Sequence, residues 1–113
     1  MRVEEIADVD DLYRRIHPLQ VKEDGSLSSA AFKDAEMSVD VARLTTPQQS
    51  LSGYVSHGLV SITAGHARSL RQEVFHAPLE TNPAHALVKG RKTDSIAKNL
   101  ARSAKWEMLP PND

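Results

Sequence analysis

The chain has 113 residues, with 14 Lys+Arg against 15 Asp+Glu and 40% hydrophobic side chains, enough for one modest core and too apolar for a disordered chain. No apolar run approaches the roughly 18 residues of a membrane span, and the opening Met-Arg-Val-Glu-Glu lacks the apolar stretch of a signal peptide, so cytoplasmic residence and no membrane partner are expected. The lack of cysteine excludes disulfide scaffolds, thiolate metal sites and cysteine nucleophiles.

Residues 3–16 have two readings. Val3, Ile6, Val9 or Asp10, Tyr13 and Ile16 suit helical spacing, with Asp8 as a cap, while Leu12-Tyr13-Arg14-Arg15-Ile16 suits a short strand. His17-Pro18 ends either element, because a residue before proline avoids the helical region. Lys22-Glu23-Asp24-Gly25-Ser26 is turn chemistry. Residues 28–32 read as a serine-capped helical turn or a loop. Residues 37–44 alternate apolar and polar, as a strand with one buried face does.

Thr46-Pro47 is a helix cap followed by proline at the first helical position, and Gly53 ends that short helix. Residues 58–63 read as a strand running into a helix that opens at Thr63. Residues 73–76 are a second short strand, and 84–88 another. Thr93 caps the best helix, in which Ile96, Ala97, Leu100, Ala101 and Ala104 form one apolar stripe and Lys98, Arg102 and Lys105 point away. Residues 106–109 suit a last strand, stopped by Pro110-Pro111. The mixture predicts an α+β domain with a small, partly antiparallel sheet, two or three short helices and an amphipathic C-terminal helix. One domain over 1–113 is expected, with 110–113 as a flexible tail.

The near-neutral total hides an asymmetry. Residues 1–44 carry a net −4, residues 45–84 zero, and residues 85–113 a net +3. The late cations are Lys89, Arg91, Lys92, Lys98, Arg102 and Lys105. Gathered on one face they would meet an anionic partner. Cancellation against the acidic opening third is the competing outcome.

Three clusters have chemical interest. In Ser61-Ile62-Thr63-Ala64-Gly65-His66 a hydroxyl-bearing strand turns into a helix, and a neutral imidazole in the first turn suits general-base chemistry. In residues 82–93, His85 enters a strand and three cations precede a helix start, where the dipole disfavours them unless an anion is held. Asp34, Glu36 and Asp40 form an acidic group, and Ser38 shares a strand face with Glu36 and Asp40. Each cluster also has a plain reading as a cap, a solvated turn or a polar strand face. If residues 12–16 form a strand, Arg14 and Arg15 point to opposite faces. The one on the buried side then needs a partner such as Asp34, Asp40 or an anion. The five histidines show none of the helical pair spacings of zinc sites, so neither a metal nor a cofactor is expected.

Taken together, Leu12-Tyr13-Arg14-Arg15-Ile16, Ser28-Ser29-Ala30-Ala31-Phe32 with Met37-Ser38-Val39-Asp40, Asn82-Pro83-Ala84-His85 and Gly90-Arg91-Lys92-Thr93 resemble a group of short bacterial proteins of unassigned function. The likeness spans most of the chain and implies a stand-alone bacterial domain, with no particular activity. The first functional expectation is an interaction module whose basic C-terminal face, Lys89, Arg91, Lys92, Lys98, Arg102 and Lys105, meets an acidic protein partner or a second copy. Nucleic acid is the less favoured partner, because only Trp106 offers a stacking surface there. The second is a small enzyme acting on a phosphorylated or nucleotide substrate through Arg14, Ser61, Thr63, His66 and His85. A component of a bacterial toxin or defence pair is the third.

Overall fold

A computed structural model describes residues 2–111. The strands run β1 (Asp11–Ile16), β2 (Glu36–Val41), β3 (Gly58–Thr63), β4 (Glu73–His76), β5 (His85–Lys89) and β6 (Lys105–Met108). The α-helices are α1 (Pro47–Ser50), α2 (Ala64–Ser69) and α3 (Asp94–Ser103), and short 3₁₀ turns occupy Pro18–Gln20, Ser29–Phe32 and Ala42–Leu44. The strands form one sheet in the order β4-β5-β2-β1-β3-β6, with every ladder antiparallel. This is an α+β fold, and its sheet is larger and more uniformly antiparallel than the sequence suggested.

The ambiguity of residues 3–16 resolves into an irregular arm followed by a strand. Of the helical-spacing set, Val3 and Val9 are exposed and only Ile6 is buried before the strand begins. β1 pairs with β3 on one side and β2 on the other, so sheet partners on both edges outweigh local helical spacing. Asp8 caps no helix of its own. Its carbonyl accepts from Gly65 N–H at 2.9 Å, and its carboxylate accepts from Arg68 Nη1 at 2.7 Å.

Local chemistry places the other elements. Ser28, Thr46, Thr63 and Thr93 each accept a backbone N–H at a helical start. Gly25 takes φ +85° in the 22–26 turn, a conformation that costs glycine little. The segment read as a strand over 37–44 leaves the sheet after Val41 and tightens into the 3₁₀ turn. β3 and β4 flank α2 in sequence but have three strands between them in the sheet. That separation agrees with a helix too short for an adjacent parallel crossover.

Alternation along the strands divides the sheet into two faces. Leu12 and Ile16 of β1, Met37, Val39 and Val41 of β2, Val60 and Ile62 of β3, and Ala86 and Val88 of β5 join Phe32 and Leu100 in the core. The apolar stripe of α3 closes that core, with Ala97 and Leu100 buried and Ile96, Ala101 and Ala104 half-buried. The opposite face carries Tyr13, Arg15, Ser38, Asp40, Ser61 and His85. Pro110 lies against Gly58, where a Cβ would come within 2.7 Å of its Cδ. The remainder of the expected tail, 112–113, is outside the described residues. No helix among the described residues is long and apolar enough to cross a membrane.

Candidate functional site

The second face of the sheet is not flat. The segment after β2, through α1 to Tyr54, and the β4–β5 connection stand beside its centre. Between them lies a groove of about 650 Å³, lined by Arg15, Ser38, Gln49, Tyr54, Asn82 and His85 among others. Asp40 is the anchor of this region, 1% exposed. It accepts from Asn82 Nδ2 at 2.7 Å, Ser50 Oγ at 2.7 Å and Arg15 Nη2 at 3.3 Å. A buried carboxylate is tolerable only with such partners.

Arg15 is held from several directions. Its Nε donates to the Ser50 carbonyl at 2.6 Å, and the Tyr54 ring centroid lies 4.4 Å from Cζ. Tyr54 in turn meets His57 edge-on at 5.2 Å, and His57 meets His17 in the same manner. Burial pushes the His57 imidazole below its ordinary value, with His17 and Arg15 adding repulsion. Arg14 serves the other face. It donates to the carbonyls of Ala31 and Ser38 and pairs with Asp34 at 3.2 Å. Each arginine of β1 therefore has a carboxylate on its own face, Asp34 for Arg14 and Asp40 for Arg15.

His85 sits between two oxygens. Its Nδ1 is 2.8 Å from the Ala77 carbonyl and its Nε2 is 3.1 Å from Ser38 Oγ. A carbonyl only accepts, so the neutral ring carries its hydrogen on Nδ1 and leaves Nε2 to accept the serine hydroxyl.

The five residues of the enzyme reading do not meet in one place. Ser61, Thr63 and His66 share a shallow pocket of about 200 Å³ with Asp11 and Lys105. Within it Ser61 donates to Glu107 at 2.8 Å, Thr63 Oγ1 accepts the His66 backbone N–H, and the His66 ring bonds Asn99 at 2.8 Å. The imidazole thus engages a side chain of α3 rather than either hydroxyl. His85 lies in the larger groove, and Arg14 is committed on the opposite face. Ser38 and Arg15, which sequence reasoning left out of the site, accompany His85. The acidic trio is also dispersed, since Glu36 faces Lys89 at 3.8 Å while Asp34 and Asp40 hold arginines.

The six late cations separate as well. Lys92 turns inward and donates to the carbonyls of Val88 at 2.8 Å and Gly90 at 3.2 Å, and burial pushes its ammonium below the ordinary lysine value. Lys89 faces Glu36, and Lys105 lies beside Ser61. Arg91 is exposed near the start of α3. Lys98 and Arg102, one turn apart on α3, form one bank of a second groove of about 530 Å³. Lys22, Ser26 and Ser29 form its other bank, and Leu27, Ala101 and Trp106 contribute apolar surface. Among the described residues none of these three cations pairs with a carboxylate. Five acidic side chains of the opening third bind arginines instead: Glu4 and Asp10 bind Arg43, Asp8 binds Arg68, Asp34 binds Arg14 and Asp40 binds Arg15. Sequence reasoning missed Lys22 because it sits in a turn within the acidic third. The bridge between Val21 and Leu27 closes that turn, and its Lys22, Ser26 and Leu27 line the groove together with α3.

Comparison with protein families, with curated proteins and with solved structures finds no match for this chain.

Proposed function

We propose that the protein is a small cytoplasmic interaction module that binds an acidic protein segment in the groove between the 22–29 loop and α3. The observation that carries this reading is the convergence of Lys22, Lys98 and Arg102, without carboxylate partners among the described residues, around Trp106. Exposed ion pairs contribute only about 0.2–1 kcal/mol each, so three cations alone would hold a partner weakly. The half-buried Trp106, with Leu27 and Ala101, supplies the apolar anchor that such a site needs. An acidic segment bearing an apolar side chain matches both parts. Nucleic acid fits less well, because the chain is near neutral overall and a single ring offers a place for only one base.

Trp106 is the sole tryptophan, so its fluorescence reports occupancy of the groove directly. Titration with a short peptide of Asp and Glu around one leucine should give a saturable change. The double variant Lys98→Glu, Arg102→Glu should lose it while keeping the circular dichroism of the parent. A poly-lysine peptide should give no change. Failure of the acidic peptide to bind overturns the reading. Tighter binding of a single-stranded oligonucleotide, with steep salt dependence, overturns the choice of a protein partner.

A further inference from the structure

We infer that Ser38 and His85 form a nucleophile–base pair that hydrolyses small uncharged carboxylic esters in the 650 Å³ groove, independently of the basic groove. The pair has the three features such chemistry needs. The hydroxyl and imidazole are within hydrogen-bond reach at 3.1 Å, and a third group, the Ala77 carbonyl at 2.8 Å, fixes the ring so that Nε2 faces the hydroxyl. The hydroxyl also opens onto a groove large enough for a substrate. Neither a surface histidine with free rotation nor a serine sealed in the core would meet all three.

Arg15 lines the same groove and is the donor this proposal assigns to the developing oxyanion. Its Nε and Nη2 are committed to Ser50 and Asp40, and its ring contact with Tyr54 restrains the plane. Nη1 has no protein acceptor among the described residues. A donor held before the reaction begins stabilises developing negative charge with little reorganisation. Arg15 is also the one charged side chain lining the groove among the described residues, and buried Asp40 offsets it. The groove therefore has no surplus positive charge for a phosphate dianion, which favours a neutral ester.

The reaction balances with water alone. Ser38 Oγ bonds to the ester carbonyl carbon as its proton passes to His85 Nε2, and the carbonyl π electrons move to oxygen. Collapse of the tetrahedral species breaks the carbon–alkoxy bond, and His85 returns the proton to the departing alcohol. Water then adds to the acyl-serine with His85 again taking a proton. Release of the carboxylic acid restores Ser38 and the neutral ring. Asp40, Ser50 and Tyr54 act as positioning residues through Arg15.

The deciding test is incubation of the folded wild-type chain with a fluorophosphonate probe, followed by intact-mass and peptide mapping. Modification should reach one equivalent, located at Ser38, and should vanish when the chain is unfolded in urea before the probe is added. Hydrolysis of p-nitrophenyl acetate should fall by about a hundredfold or more in Ser38→Ala and in His85→Gln. Wild-type protein left unmodified at Ser38, or modified there equally in urea, overturns the inference whatever the variants do. Acidic-peptide binding in the other groove is read by Trp106, so the two readings fail separately.

Discussion

Asp40 shows how much one side chain organises. Its two carboxylate oxygens tie β2 to the 82–85 connection through Asn82, to α1 through Ser50 and to β1 through Arg15. Asp40→Ala leaves Asn82, Ser50 and the Arg15 guanidinium short of an acceptor in a largely buried place. Breaking such a pair costs roughly 3 kcal/mol, and urea denaturation should show that loss as a lower midpoint with an unchanged slope. The need behind this arrangement was legible in the sequence, where two arginines interrupting an apolar run demand acceptors. The assignment of Arg14 to Asp34 and Arg15 to Asp40 was not, because it depends on which face each strand residue takes. Ser38 and His85 were still less legible as a pair. They are 47 residues apart, and only the adjacency of β2 and β5 brings them together.

Elements whose ends are fixed by local chemistry were the readable ones. Thr46, Thr63 and Thr93 announce their helices because a side-chain oxygen satisfies an otherwise unpaired N–H within three residues. Sheet order has no such local signal, and neither has the hold of Asp8 on α2 through its backbone carbonyl and its carboxylate. The end of α2 holds a further example. Arg71 N–H donates to the Arg68 carbonyl and Gln72 N–H to the Ala67 carbonyl, a reverse turn closing the helix. Arg71 itself stands at φ +66°, where a side chain is strained and glycine is not. Arg71 is exposed and its side chain makes no hydrogen bond among those described. Arg71→Gly should therefore stabilise the protein by up to about 1 kcal/mol. Thermal denaturation at neutral pH checks this as a rise in Tm of a few degrees. A fall would show that the arginine stem contributes more packing than the backbone strain costs.

Across the whole molecule, charge sorts in a way the linear sequence only half reveals. The opening third is acidic in sequence, yet Arg14, Arg15, Arg43 and Arg68 consume several of its carboxylates. The late cations were expected to act as one patch. Instead Lys92 is turned into the backbone, and Lys98 and Arg102 join Lys22 from the other end of the chain. The asymmetry of charge was visible in composition, while the membership of the patch had to await the fold. The proposed role of the molecule rests on this groove. Its most direct test is the mapping of amide chemical shifts in ¹⁵N-labelled protein as the leucine-bearing acidic peptide is added. Changes should concentrate at Lys22–Ser29 and Lys98–Trp106 and weaken as salt is raised. Shifts spread evenly over the surface, or centred on Arg15 and His85 with the α3 bank unmoved, would contradict it.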